Sequence, residues 1–243
     1  MSRIYDITPF TLLDYPDEVA CIVWMSGCNL RCVYCHNPDI VLSKGKKKDS
    51  ELLDFLKLRQ GKLTAVVFSG GEATFCPTLP QLARQAKEMG YKIKIDTNGG
   101  NPAMLKELVG KGLVDYVALD YKCPPQKAEI ILGTSRFEKA FYESLDFLIQ
   151  ESEKGTLTLE VRTTAAPEFL SKTDINEIIA DLDDRGYRGT YWLQHIISSG
   201  DKTLGNIAAP KSAINTKLLH KPKKFSLGFR NFPKKPNINR RKK

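Results

Sequence analysis

Cys28, Cys32 and Cys35 stand in Gly27-Cys28-Asn29-Leu30-Arg31-Cys32-Val33-Tyr34-Cys35-His36-Asn37-Pro38, a Cys-x3-Cys-x2-Cys spacing with an aromatic residue just before the third thiol. Three thiolates on one short loop can hold three irons of a [4Fe–4S] cluster and leave the fourth iron without a protein ligand. Iron–sulfur clusters are ordinarily held by four cysteines. An open metal position is what separates catalytic from structural sites in zinc proteins, and the same logic applies here. The loop is therefore expected to present an iron that a substrate or cofactor can bind.

Two plainer uses of the cysteines fit less well. A zinc site needs a second ligand pair, but Cys76 and Cys123 are single and His195 and His220 lie far apart. A disulfide framework belongs to small domains in oxidising compartments. This chain has 243 residues, and Met1–Phe10 lacks the apolar core of a secretory signal. Cys21, Cys76 and Cys123 read as structural thiols.

A second set of polar residues has chemistry to offer. Gly70-Gly71-Glu72-Ala73-Thr74 follows an apolar run. Two glycines let the backbone approach a ligand closely, and Glu72 can accept hydrogen bonds from an ammonium group; alone, the pair would mark a turn. Asp96 and Thr97 precede Asn98, and Asp120 stands two residues before Lys122. Two carboxylates near a substrate carboxylate repel one another, which a cation or Lys122 would relieve; the plainer role for Asp120 is to cap the following turn. Arg162 lies in an apolar run where a buried charge needs a partner. Its planar guanidinium suits a carboxylate, whether a ligand's or that of Glu160 or Asp120. Tyr34 and His36 flank the third thiol, and Gln194 and His195 are weaker candidates.

The elements that must position these residues alternate regularly. Strand patterns run over Val19–Met25, Thr64–Ser69, Tyr91–Thr97, Tyr116–Asp120, Leu157–Thr164 and Tyr191–Ile196. Amphipathic helical patterns run over Glu51–Gln60, Leu79–Met89, Ala103–Lys111, Phe137–Glu151 and Asp174–Arg185, with Leu52, Phe55 and Leu56 at the spacing of one buried face. Asn101-Pro102 has the form of an N-cap followed by an N1 proline, and Gly90 and Gly186 sit where helices terminate. Strands alternating with helices of this length predict an α/β fold with a parallel sheet. Six units predict a partial (βα)6 barrel. The polar residues fall at the C-terminal ends of its strands, the edge where parallel sheets bind ligands.

Charge divides the chain. Thirteen of its 37 basic residues follow Asp201, after which there is no acidic residue, so the first 201 residues carry 24 basic against 28 acidic groups. No apolar run approaches the ~18 residues that span a membrane. One α/β domain carrying the cysteine loop over 1–217 and a basic tail over 218–243 are expected. Prolines and like charges predict disorder for most of that tail, with Phe225–Arg230 as its one strand candidate. The tail reads as a solvated segment or an arm for an acidic partner or nucleic acid.

The cysteine loop resembles the signature of the radical S-adenosylmethionine (SAM) superfamily, in which SAM chelates the fourth iron. Thr11-Leu12-Leu13-Asp14-Tyr15-Pro16, Gly27-Cys28-Asn29 and Tyr34-Cys35-His36-Asn37-Pro38 together resemble the activating proteins of anaerobic ribonucleoside-triphosphate reductase and are similar to pyruvate formate-lyase activating enzymes, over roughly the first 200 residues. That resemblance implies the partial barrel and, as cofactors, a [4Fe–4S] cluster and SAM. It implies that Gly70, Gly71 and Glu72 bind the SAM amino group, although many relatives have proline where this chain has Ala73. Asp96, Thr97 and Asp120 would surround the SAM carboxylate or ribose, with either a monovalent cation or Lys122 relieving their repulsion, and Arg162 would contact the SAM carboxylate; Tyr34 and His36 would lie near the adenine. The implied reaction is reductive cleavage of SAM to a 5′-deoxyadenosyl radical, which generates a glycyl radical on a partner enzyme. A flavodoxin- or ferredoxin-type donor would supply the electron in the cytoplasm. Another small radical SAM enzyme acting on a nucleoside or peptide, and a basic RNA-binding iron–sulfur protein, are the alternative readings.

Overall fold

Runs such as Ala65-Val66-Val67-Phe68 and Tyr116-Val117-Ala118-Leu119 are apolar on both faces, a pattern suited to a strand covered on both sides. They form the centre of one eight-stranded sheet. The computed structural model describes residues 3–196, 203–207, 210 and 212–233. Strand β1 (Ile4–Thr11) pairs antiparallel with β2 (Ala20–Met25). From β2 onward every neighbour is parallel: β3 (Ala65–Gly70), β4 (Lys92–Thr97), β5 (Tyr116–Asp120), β6 (Thr158–Ala165), β7 (Thr190–His195) and β8 (Ser226–Arg230) follow in chain order.

The crossovers carry helices α1 (Pro38–Leu42), α2 (Asp49–Arg59), α3 (Leu79–Glu88), α4 (Pro102–Gly110), α5 (Ala128–Leu132), α6 (Glu138–Glu153) and α7 (Lys172–Asp184). Their local signals work as the sequence suggests. Asn101 accepts from the Met104 amide at 3.3 Å ahead of Pro102, and Gly90 and Gly186 follow α3 and α7 at φ +93° and +82°, a conformation that costs glycine nothing.

The main core lies between helices and sheet, where Phe68, Ile95, Leu119 and Val161 meet Leu82, Leu105, Leu145 and Ile178. A smaller cluster fills the other face with Tyr15, Ala20, Ile22, Ala65, Val67, Tyr116 and Ala118. Leu13, Asp14 and Pro16 beyond β1 line the same cavity as Arg230 and Asn231 of β8 and its end. The sheet thus curls until its two edges face one another, as in a partial barrel.

Two strands add to the six expected. β1 escaped the sequence reading because Asp6 and Pro9 interrupt its apolar pattern; an edge strand tolerates both. The strand candidate Phe225–Arg230 contains β8 (Ser226–Arg230), so the sheet extends past residue 217. Phe225 packs 5.4 Å from Tyr187 and 6.2 Å from Tyr191, and the Lys223 and Lys224 amides donate to the Asp183 carboxylate. Lys234–Lys243 lie outside the described residues. No described helix is long and apolar enough to cross a membrane.

Candidate active site

A cleft of about 210 Å³ opens where the C-terminal ends of β3, β4, β5 and β6 meet the loop after β2. Cys28, Cys32, Cys35, Tyr34 and His36 line one side; Gly70, Gly71, Glu72, Asp96, Thr97, Asp120, Lys122 and Arg162 line the strand ends opposite. The structure therefore brings together every residue proposed from the strand ends and the cysteine loop, with two exceptions. Gln194 points to the cavity between the sheet edges. The His195 ring packs 5.4 Å from Phe232, and its Nδ1 is buried without a partner.

Backbone contacts from three directions hold the cysteine loop. Gly27, at φ +80°, donates to the Ile40 carbonyl at 2.9 Å. The Arg31 and Val33 amides donate to Leu132 and Ile131 of α5 at 2.9 and 3.0 Å. From far along the chain, Leu204 and Gly205 donate to the carbonyls of Cys35 and Val33 at 3.0 and 2.8 Å. The Leu30 amide and the Asn98 side chain both point at the Cys28 sulfur, at 3.4 and 3.8 Å, while Asn98 also donates to Asn29 Oδ1 at 2.8 Å. Burial pushes the Cys28 thiol up to about 12 and raises Cys32 as well, so iron has to displace their protons.

The two glycines serve chain-on-chain contact before any ligand. A Cβ on Gly70 would lie 2.6 Å from Met25 backbone atoms, and one on Gly71 would lie 2.1 Å from the Gly27 carbonyl oxygen. Glu72 is a buried hub rather than a solvated turn residue. Its Oε1 accepts from Thr74 N and Oγ1 at 3.1 and 2.6 Å and from Thr97 Oγ1 at 2.7 Å; its Oε2 accepts from Asn98 N at 2.6 Å. Burial raises its pKa above the usual carboxylate value despite these four donors.

Arg162 resolves in favour of Asp120. Its Nε donates to Asp120 Oδ1 at 2.5 Å and its Nη2 lies 3.3 Å from Asp96 Oδ2. Glu160 instead takes a two-pronged hydrogen bond from Arg230, at 2.9 and 2.8 Å. Lys122 donates to Asp120 Oδ2 at 2.8 Å, Lys94 pairs with Asp96 Oδ1, and Ser69 donates to Asp96 Oδ2 at 2.8 Å. Burial pushes both aspartates up, but Arg162 with Lys94 at Asp96, and Arg162 with Lys122 at Asp120, outweigh it and hold them below their ordinary values. Tyr34 OH reaches the Lys122 carbonyl at 3.3 Å, tying the cysteine loop to the end of β5.

Sequence reasoning gave no role to Ser69, Asn98 or Thr164, which also line the cleft. Asn98 had a signal, since it follows Asp96 and Thr97 at a strand end. Leu204 and Gly205 had none.

The donors suit an iron–sulfur cluster and a zwitterionic ligand. Three thiols of one loop face the cleft beside a carboxylate hub and a row of paired charges. A family model described as Radical SAM superfamily matches residues 22–150. Over 188 residues the chain is 32% identical to a Methanocaldococcus jannaschii protein named "Putative glycyl-radical enzyme activating enzyme", covering 75% of this chain and 76% of that one. Over 129 residues it is 36% identical to the pyruvate formate-lyase-activating enzyme of Clostridium pasteurianum, covering 50% and 53%. Its fold is similar to that of Streptococcus suis SuiB bound to the precursor peptide SuiA, with a TM-score of 0.62 at 13% identity, over 77% of this chain and 42% of that one. The same S. suis protein has been crystallised with SAM. Radical SAM proteins use a [4Fe–4S] cluster together with SAM.

Proposed function

This chain belongs to the radical SAM superfamily, and we propose that it activates a glycyl radical enzyme, specifically an anaerobic ribonucleoside-triphosphate reductase. The observation that carries the reading is the meeting, in one cleft, of the Cys28, Cys32 and Cys35 thiols with Glu72 and the Asp96–Arg162–Asp120 row. The three thiolates hold the cluster. Glu72 Oε2, which takes a single donor from Asn98 N, accepts from the SAM ammonium with its second lone pair, and Gly70 and Gly71 fix where it stands. Arg162 and Lys122 face the SAM carboxylate, with Asp96, Thr97 and Asp120 around it; Tyr34 and His36 border the adenine. Held there, the cluster would supply the electron that breaks the S–C5′ bond of SAM, giving methionine and a 5′-deoxyadenosyl radical that would take a hydrogen atom from a partner glycine. The protein's own work is to orient and to exclude water.

Arg162 also lines the cavity between the two sheet edges, which supports that opening as the route for the partner's glycine-bearing loop. Leu13 is 92% exposed at its lip and lies in Thr11–Pro16, one of the three segments that together resemble the reductase-activating proteins. A flavodoxin- or ferredoxin-type carrier delivers the electron in the cytoplasm.

The test is to incubate anaerobically reconstituted protein, SAM and a reductant with the reductase, and separately with pyruvate formate-lyase. A glycyl-radical doublet in the electron paramagnetic resonance spectrum of the reductase alone is expected. A doublet only in pyruvate formate-lyase would reassign the partner, and none in either would overturn the activase reading.

A further inference from the structure

Lys94 is a buried lysine that the reaction as described does not use. It stands on the concave face of β4, is 3% exposed, and pairs with Asp96 Oδ1. Its Nζ lies 5.5 Å from the centroid of the Tyr116 ring. An ammonium buried this far persists only with a charged partner, and Asp96 is its only ion-pair partner among the described residues.

Lys94 ends an alternating row across three strands: Lys94, Asp96, Arg162, Asp120, Lys122. Each carboxylate oxygen already faces a donor. Asp96 Oδ1 has Lys94, Asp96 Oδ2 has Ser69 and Arg162, Asp120 Oδ1 has Arg162, and Asp120 Oδ2 has Lys122. Three fixed cations thus stand against two carboxylates. If SAM binds as proposed above, on which this inference rests, its carboxylate is the third anion and the charges balance. A monovalent ion would find neither an unshared oxygen nor an uncompensated negative charge.

We propose that Lys94 is a positioning residue that supplies, through Asp96, the positive charge the SAM carboxylate requires, so that SAM binding in this protein needs no monovalent cation. Without Lys94 the same groups hold two cations against three anions, and a bound ion then becomes necessary.

The experiment is equilibrium dialysis of radiolabelled SAM against the cluster-loaded protein, with potassium chloride, sodium chloride or choline chloride at equal ionic strength. The wild-type Kd is expected to agree within about twofold across the three salts. Lys94→Met is expected to bind about tenfold more weakly in choline, on the order of one lost charge contact, and to recover in potassium; a lysine needed only for packing would not show that rescue. Lys94→Arg should behave as wild type. A wild-type Kd about tenfold tighter in potassium than in choline would overturn the inference and leave the SAM site standing. So would a Lys94→Met protein with full cluster content and wild-type affinity in choline. If Lys94→Met fails to hold its cluster, the wild-type salt series alone decides. No SAM binding in any salt would overturn the assignment of the cleft, and this inference with it.

Discussion

The amide of Gly205 donates to the carbonyl oxygen of Val33 at 2.8 Å, so a segment beyond the seventh strand is fastened onto the middle of the cysteine loop. The neighbouring Leu204 amide does the same to Cys35. Solvent exposure and hydrogen bonding around the thiolates are the protein's means of controlling an iron–sulfur cluster.

A Cβ on Gly205 would lie 2.7 Å from the Val33 carbonyl oxygen and 3.0 Å from Val33 Cβ, so Gly205→Ala should lift the strap. Two surface hydrogen bonds are worth about 1–3 kcal/mol together, and the fold should survive. The expected outcome is a cluster absorbance that bleaches several times faster in air than that of wild type, with a Tm within a few degrees. Unchanged bleaching would mean the strap shields nothing.

The acidic limb of stability should report the charged row. Asp96 is held below its ordinary pKa because Arg162 and Lys94 outweigh the effect of burial. A depressed folded pKa stabilises above the unfolded value of about 3.9 and loses that contribution as pH falls below it. Asp96→Asn removes a partner from two buried cations, which costs about 3–5 kcal/mol near neutral pH. In urea unfolding, the gap between variant and wild type should narrow as pH drops from about 4 toward 2. A gap that stays constant over that range would contradict the pairing.

The strands and helices were legible because burial on both faces leaves an unbroken apolar run, and because Asn101-Pro102, Gly90 and Gly186 are local signals. The cysteine loop and Glu72 were legible from their spacing and neighbours. What stayed hidden depends on distant pairing. Lys94 reads as an ordinary exposed strand residue until Asp96 and Tyr116 are seen beside it. Asn98 gains its contact with Cys28 only when β4 is set beside the loop after β2. The strap over Val33 and Cys35 has no pattern of its own, and β1 hides behind Asp6 and Pro9.

The C-terminal segment separates into a structural part and a charged part. Ending the chain at Lys217 removes β8, uncovers the β7 edge and takes Arg230 from the buried Glu160. Ending it at Pro233 removes only the terminal basic cluster. The shorter chain should lose several degrees in Tm and bind SAM poorly, while the chain ending at Pro233 keeps both. Comparing partner activation by the full chain and the chain ending at Pro233 at low salt then tests steering by charge, since screening is weakest there. Equal rates would leave the terminal cluster as a solvated end.

The central claim is that Cys28, Cys32 and Cys35 hold a cluster that cleaves SAM in the cleft they line. Its most direct test is the yield of 5′-deoxyadenosine and methionine when anaerobically reconstituted protein is mixed with SAM and dithionite, without any partner. Wild-type protein should form the two products in equal amounts, and the triple Cys→Ala variant should form neither and retain no iron. Near-stoichiometric iron in the triple variant, or no 5′-deoxyadenosine from wild-type protein with a full cluster, would contradict the account.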